Sequence, residues 1–382
     1  MDRRHILMVT LGTEGDVRPF IDLAAELQRR SHKVMVAANT DHAPYAAKRG
    51  TPFEAVCEPD WPQIGRNDSL FFRRVIETAY PAIDLLLSKM AAAHPKTIVI
   101  VRTGMWGALF SAERHRTPVI RLALQPCAIR KTGHPVNPDD LENLNRFRAM
   151  LGLLPLSGHN GLEEKDVLAT ISLFPRWFGT PQSEWDESGA SVGFPLPPPL
   201  LDDGIAADVS SFVDRFRSPV VFSCGTGVQH VRHFLDVAIE LARVGYPVVF
   251  LSRYAGQKPG NMPENIILHD YVDHGALFPR TGLVIHNGGI GVIAQAIRAA
   301  VPQIVVPLMY DQPDNALRVE HLGLGCTIPP NDFRLETLKS AVERLGSDRG
   351  LPDRLRRVAA DVSASAAICK TADLIEGLIA SA

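Results

Sequence analysis

The stretch LVIHNGGIGVIAQAIRAAVPQIVVPLMYDQPDN (283–315) admits few folds. An apolar run at Leu283–Ile285 meets His286 and a glycine cluster at Gly288, Gly289 and Gly291. A segment of helical character, Val292–Ala300, follows, and a second apolar run, Ile304–Val306, delivers Asp311 and Gln312. Apolar strands joined through a helix suit a parallel sheet covered on both faces. Glycines let the backbone approach a phosphate closely, and a helix N-terminus offers unpaired N–H groups and a positive dipole. His286 supplies a further donor, and a carboxylate beside a carboxamide suits the hydroxyls of a sugar. The unit therefore reads as a site for a nucleotide diphosphate carrying a sugar.

The same alternation runs through the chain. HILMVTL (5–11), KVMVAA (33–38), TIVIV (97–101), VIRLAL (119–124) and VLATISLF (167–174) read as buried strands, as do runs at 220–222, 247–251, 265–268, 283–285 and 304–306. Val17, Phe20, Ile21, Ala24 and Leu27 recur at helical spacing between the first two, and Phe234–Ala242 reads as another helix. The pattern breaks at GFPLPPPLLDDG (193–204), whose four prolines serve neither a central strand nor a helix interior. The expected architecture is α/β: two doubly wound Rossmann-like domains, 1–195 and 206–382, joined by a stiff linker at 196–205 and facing across a cleft. The last helix of the second is free to pack back on the first. Pro44–Ala93 and Gly133–Lys165 read as loop and helix insertions in the first domain.

At 382 residues the chain exceeds what one core usually supports. A net charge of −2 gives no electrostatic reason to bind nucleic acid or an anionic membrane. The five cysteines are scattered without CxxC or zinc spacing, and the N-terminus does not read as a signal peptide, so a cytoplasmic setting is expected. No apolar run reaches about 18 residues, which leaves membrane contact peripheral at most.

With those residues in place, the chain resembles the bacterial nucleotide-sugar-dependent glycosyltransferases of the GT-B fold, in the UDP-glycosyltransferase superfamily. LGTEGDVRPFIDLAAELQRRSHKV (11–34) is similar to their opening unit, where G-x-x-G-D-x-x-P is usual. LFPRWFGTPQSEW with GFPL (173–185 and 193–196) looks like the rhamnosyltransferase of rhamnolipid synthesis and its relatives. YVDHGALFPRTGLVIHNGGIG through VPQIVVPLMYDQPDNALR (271–318) resembles the family's donor site.

The resemblance implies an inverting, metal-independent hexosyltransferase without a cofactor, the nucleotide sugar being a co-substrate of UDP-glucose or dTDP-rhamnose type. It casts Asp16 as the base that takes the acceptor's proton, with Glu14 a weaker candidate. On residue chemistry alone Asp16 reads first as an N-cap, a role compatible with the other. Plant relatives carry an aspartate behind a catalytic histidine, where this chain has Arg102 and Thr103. Gly15, Gly225, Thr226, His286, Gly288, Gly289 and Gly291 are implied contacts of the diphosphate region. Tyr271 is implied to stack on the base, Val272 to bond its edge, and Asp311 and Gln312 to hold sugar hydroxyls, with Asn315 behind them. Neither PDD (138–140) nor LDD (201–203) has the pattern of a metal-binding D-x-D.

Two other readings stay open at this level. Gly289–Ala294 matches the dinucleotide fingerprint G-x-G-x-x-A, pointing to an NAD-dependent oxidoreductase. A non-catalytic helper subunit would keep the fold. Trp61, Phe71, Phe72, Tyr80, Trp106 and Phe110 suit a pocket for a small hydrophobic or aromatic hydroxylated acceptor, whose identity the sequence leaves open.

Overall fold

The computed structural model describes residues 3–58, 68–128, 138–156, 167–179, 190–197, 205–224, 231–254, 260–364 and 366–381. The chain divides into two compact units, Met1–Pro195 with Ala366–Ala382, and Leu196–Ser365.

The first unit holds a parallel sheet of β1 (His5–Val9), β2 (Lys33–Asn39), β3 (Phe53–Cys57), β4 (Thr97–Arg102), β5 (Val119–Ala123), β6 (Val167–Ser172) and β7 (Ala190–Ser191). Their order is β3-β2-β1-β4-β5-β6-β7. Side chains of β1 alternate between two cores, which is why its run is apolar throughout. Ile6 and Met8 pack with Phe20, Ile21 and Leu27 of the helix Glu14–Arg29. Leu7 and Val9 pack with Ile83, Leu87 and Leu109 on the opposite face.

The second unit repeats the design with β8 (Val220–Ser223), β9 (Val248–Leu251), β10 (Ile266–His269), β11 (Leu283–His286), β12 (Gln303–Val305) and β13 (Gly325–Thr327). Its order is β10-β9-β8-β11-β12-β13, again all parallel. In β8, Val220 and Phe222 enter one core while Val221 enters the other. Strands β3 and β13 lie at sheet edges and carry no continuous apolar run.

In each sheet the chain winds outward in both directions from a central pair, β1 with β4 and β8 with β11. Loops leaving the carboxyl ends of such a pair diverge to opposite faces, and ligands of open α/β sheets bind in the crevice this creates. At the first switch point stand residues 10–16 and Arg102, and at the second stand Ser223 and His286, which share a register position. Among the described residues no helix is long and apolar enough to cross a membrane.

The last helix, Ala367–Ser381, belongs to the first unit. Ala372, Ile375 and Ile379 enter the core beside the helix Glu14–Arg29. Arg30 spans the seam, reaching Glu26 at 2.7 Å, Glu376 at 2.8 Å and Asp373 at 2.5 Å. Apolar packing is the larger contribution, because an exposed ion pair is worth at most about 1 kcal/mol. Ile375→Ala is therefore expected to destabilise the first unit by about 2–5 kcal/mol, against under about 1 kcal/mol for Asp373→Ala. Urea unfolding followed by circular dichroism compares them; equal shifts would show that charge, not packing, pins the helix.

Candidate functional site

The second switch point is built around Gly288. Its φ of +92° lies in the left-handed region, and a Cβ there would sit 3.0 Å from Val305 Cγ1 and 3.1 Å from the Gln312 carbonyl. Only glycine fits both the conformation and the space. Both halves of its peptide environment are clamped. The Gly288 N–H donates to His286 Nδ1 at 3.0 Å, and Asn315 Nδ2 donates to the Gly288 carbonyl at 3.0 Å. Gly289 then caps the helix Ile290–Arg298. Residues 283–288 are buried, whereas Gly289, Ile290 and Gly291 are partly exposed, so the opening falls at the helix N-terminus. The first N–H groups of a helix have no partner within it and carry its positive dipole end.

His286 does not point into that opening. It is wholly buried, Nδ1 accepts the Gly288 N–H, and Nε2 lies 3.0 Å from Gln303 Oε1. An acceptor oxygen opposite Nε2 places the ring proton there. The expected donation from His286 to a diphosphate is thereby corrected: both ring nitrogens are used within the protein, and the residue orients the Gly288 peptide. Burial pushes its pKa down to about 4 against the opposing Gln303 hydrogen bond, with His274 adding a smaller lowering.

After β12 the chain turns at residues 309–312, where the Gln312 N–H reaches the Met309 carbonyl at 3.1 Å. Gln312 Oε1 accepts from the N–H groups of Leu308 at 2.8 Å and Met309 at 3.1 Å. Its carboxamide oxygen thus staples the turn, so the sugar hydroxyls that Gln312 is expected to hold would meet its amide nitrogen. Asp311 is half-buried at the head of the helix Gln312–His321, and its Oδ2 accepts from Asn315 Nδ2 at 2.7 Å. Asn315, fully buried, therefore ties the acidic turn to the glycine turn.

Tyr271 is 36% exposed beyond β10, its ring centroid 6.5 Å from that of His274. Val272 buries its side chain in the core, leaving only its backbone for any ligand. His274 stacks on Phe278 and meets Ser223 Oγ at 3.2 Å, bringing the ends of β8 and β10 together. Gly225 and Thr226 lie outside the described residues.

In the first unit Asp16 is the third residue of the helix Glu14–Arg29, not its N-cap as the residue type alone allows. Its Oδ2 accepts from the Thr13 N–H at 3.0 Å and the Thr13 hydroxyl at 3.2 Å, the arrangement of a capping box. Its Oδ1 lies 3.4 Å from Arg102 Nη1, and Arg102 Nη2 donates to the Leu11 carbonyl at 3.0 Å. The carboxylate approaches so closely that a Cβ on Gly12 would collide with Oδ2. Gly12 has φ +146°, donates its N–H to Asn39 Oδ1 at 3.0 Å and accepts at its carbonyl from His42 Nε2 at 3.1 Å. Gly15 faces open space, and Pro19 supplies no N–H to its carbonyl. Glu14 pairs with Arg18 at 3.0 Å.

Residues 237–378 match the family model of the erythromycin biosynthesis protein CIII-like C-terminal domain. The NDP-glycosyltransferase YjiC of Bacillus subtilis is 25% identical across 99% of this chain and 98% of its own. Over nearly its whole length the chain is similar to bacterial glycosyltransferases of the UDP-glycosyltransferase superfamily. The glycotransferase of kitacinnamycin has the same fold, with a TM-score of 0.80 at 20% identity over 99% of this chain and 100% of that one. A Streptomyces glycosyltransferase complexed with thymidine diphosphate superposes with a TM-score of 0.71 at 19% identity, over 98% and 99% of the chains.

The topology also disposes of the dinucleotide fingerprint at 289–294. In this glycosyltransferase those residues follow β11, the fourth strand of its sheet in chain order, whereas the fingerprint belongs after the first strand. The aromatic residues of the first unit divide. Tyr80 and Phe110 are buried with Phe147, Leu144 and Leu156 and form core, not pocket. Trp61 and the side chains of Phe71 and Phe72 lie outside the described residues.

Three residues that hold these turns were not picked out from sequence: Gln303, Asn39 and His42. A glutamine opening an otherwise apolar central strand was the visible signal for Gln303. Because His286 is held neutral, acidification favours the unfolded chain, which binds the proton that the native ring refuses. Stability is expected to fall as pH drops from about 6.5 toward about 4, by roughly 3 kcal/mol from this residue. Urea midpoints across that range should fall less steeply in His286→Gln; parallel slopes would remove His286 as the source.

Proposed function

We propose that the enzyme transfers a hexosyl group from a nucleoside diphosphate sugar to a hydroxyl of a small natural-product-like acceptor, with inversion and without a metal. The observation that carries this reading is the partly exposed helix N-terminus at Gly289–Gly291, with its glycine peptide clamped by His286 and Asn315. Fixed N–H groups and a helix dipole meet the charge that grows on a departing diphosphate, and they need no reorganisation to do so. The thymidine diphosphate bound by a fold neighbour and the NDP-glycosyltransferase among the relatives support the same donor class.

In the proposed step the acceptor oxygen bonds to the anomeric carbon as the bond from that carbon to the diphosphate oxygen breaks. The nucleoside diphosphate leaves with the electron pair, and Asp16 takes the acceptor's proton. To do so Asp16 exchanges one of its Thr13 or Arg102 contacts for the acceptor hydroxyl. Proton removal contributes typically about 10²–10⁴-fold, with electrostatic stabilisation of the leaving group the larger share. Asp311 is assigned to sugar hydroxyls and Tyr271 to the base.

Two measurements test the reading. Thermal-shift titration should show stabilisation by UDP or dTDP and none by NADH; the reverse result would overturn it. Asp16→Asn should lower kcat by about 10²-fold or more while leaving donor affinity unchanged, whereas His286→Ala should weaken both by releasing the Gly288 peptide. Undiminished turnover in Asp16→Asn, measured by donor hydrolysis or transfer to a phenol, would strike Asp16 out as the base.

A further inference from the structure

We propose that the end of the first unit formed by the amino ends of its strands docks on an anionic lipid bilayer, with Met150 and Leu154 entering the acyl boundary. The sheet is parallel throughout, so the connections into its strands share one end, opposite residues 10–16 and Arg102. Taken with each strand's first residue, the connections into β1–β5 are 3–5, 30–33, 49–53, 94–97 and 115–119. They read RRH, RSHK, RGTPF, HPKT and HRTPV, with seven Arg or Lys and no Asp or Glu. Helix C-termini lie at this end and favour cations through their dipole, but the same holds in the second unit. Its described connections, 217–220, 244–248, 260–266, 281–283, 299–303 and 322–325, carry one charge of each sign, Arg217 and Glu264.

Part of this charge is met inside the unit. Arg30 is spent on Glu26, Asp373 and Glu376, and Arg49 reaches the buried Asp22 at 2.8 Å. Arg3, Lys33 and Arg116 are exposed and form no ion pair among the described residues. Charge is therefore segregated, and a chain of net charge −2 still presents a cationic end.

An apolar turn stands beside it. Near the end of the helix Pro138–Met150, Arg148 pairs with Glu113 at 2.6 and 2.8 Å, two residues before the connection into β5. Residues 149–156, AMLGLLPL, carry no polar side chain. Leu151, Leu153 and Leu156 pack with Tyr80 and Phe110, whereas Met150 is 78% exposed and Leu154 81%. The turn that displays them is fixed. The Leu153 N–H donates to the Arg148 carbonyl at 3.0 Å, and Arg148 Nε donates to the Leu154 carbonyl at 2.7 Å. Asn145 and Leu156 exchange hydrogen bonds at 3.2 and 2.6 Å. One exposed apolar side chain needs no explanation, but two on a rigid turn at a cationic end suit one kind of surface. Anionic headgroups attract the cations, and the apolar side chains enter beneath them. A nucleic acid would leave Met150 and Leu154 in water. The five residues of β1 span about 16 Å, so docking leaves the site at the carboxyl ends uncovered.

Sedimentation of the full chain with vesicles of equimolar phosphatidylglycerol and phosphatidylcholine supplies the test. The chain should bind them about tenfold more tightly than pure phosphatidylcholine, and less tightly as salt rises. Met150→Ser combined with Leu154→Ser should weaken binding about tenfold, and Lys33→Glu combined with Arg116→Glu by as much. Both double variants should keep the wild-type urea midpoint, because all four side chains are exposed. Absence of binding to the mixed vesicles, or equal binding to both kinds, would overturn the inference. So would undiminished binding in the serine double variant, which would mark the end as a general polyanion site. The donor reading stands or falls independently of these outcomes.

Discussion

The peptide of Gly288 is the constraint from which the donor-side arrangement follows. Its φ of +92° and the contacts waiting for any Cβ exclude other residues, and its N–H and C=O are each taken by a side chain. His286 supplies the acceptor because its ring is turned inward to Gln303, not outward to a ligand. Asn315 supplies the donor and passes the restraint on to Asp311. Leaving the helix N-terminus at Gly289–Gly291 partly open then costs little rigidity, because the backbone immediately before it is fixed. A preorganised anion site requires this division: groups behind the turn fix it, and main-chain amides in front act.

The first unit solves a related problem with different residues. Gly12 also carries a positive φ just past the strand that begins its switch point, and its N–H and C=O are likewise held, by Asn39 and His42. What approaches the glycine there is Asp16, whose Oδ2 occupies the space a side chain would need. The duplication of the 3-2-1-4 strand order thus extends to the device used at each switch point. In each unit a glycine peptide is clamped by imidazole and carboxamide, and a functional group rests against it. In the first unit Arg102 also sets a cation against the carboxylate.

What sequence makes visible follows from how many faces of an element are buried. Central strands such as β1 and β8 show continuous apolar runs because both faces enter cores. Edge strands β3 and β13 do not; FEAVC and GCT give too little apolar signal to stand out. The glycine turn, Asp16 and the Asp311–Gln312 pair were legible because each sits in a contiguous motif. The inward turn of His286 was not, since it depends on Gln303 being set beside it by the parallel register of β11 and β12. Nor was the pairing of Arg102 with Asp16, which requires β1 and β4 to be neighbours although their residues lie far apart in the chain.

The same reasoning separates residues that hold the site from residues that face it. A polar side chain whose hydrogen-bonding groups are met inside the fold, such as His286, has its role settled by those partners. Asp16 differs because its contacts to Thr13 and Arg102 lie at a partly exposed surface, where a substrate hydroxyl can replace one of them.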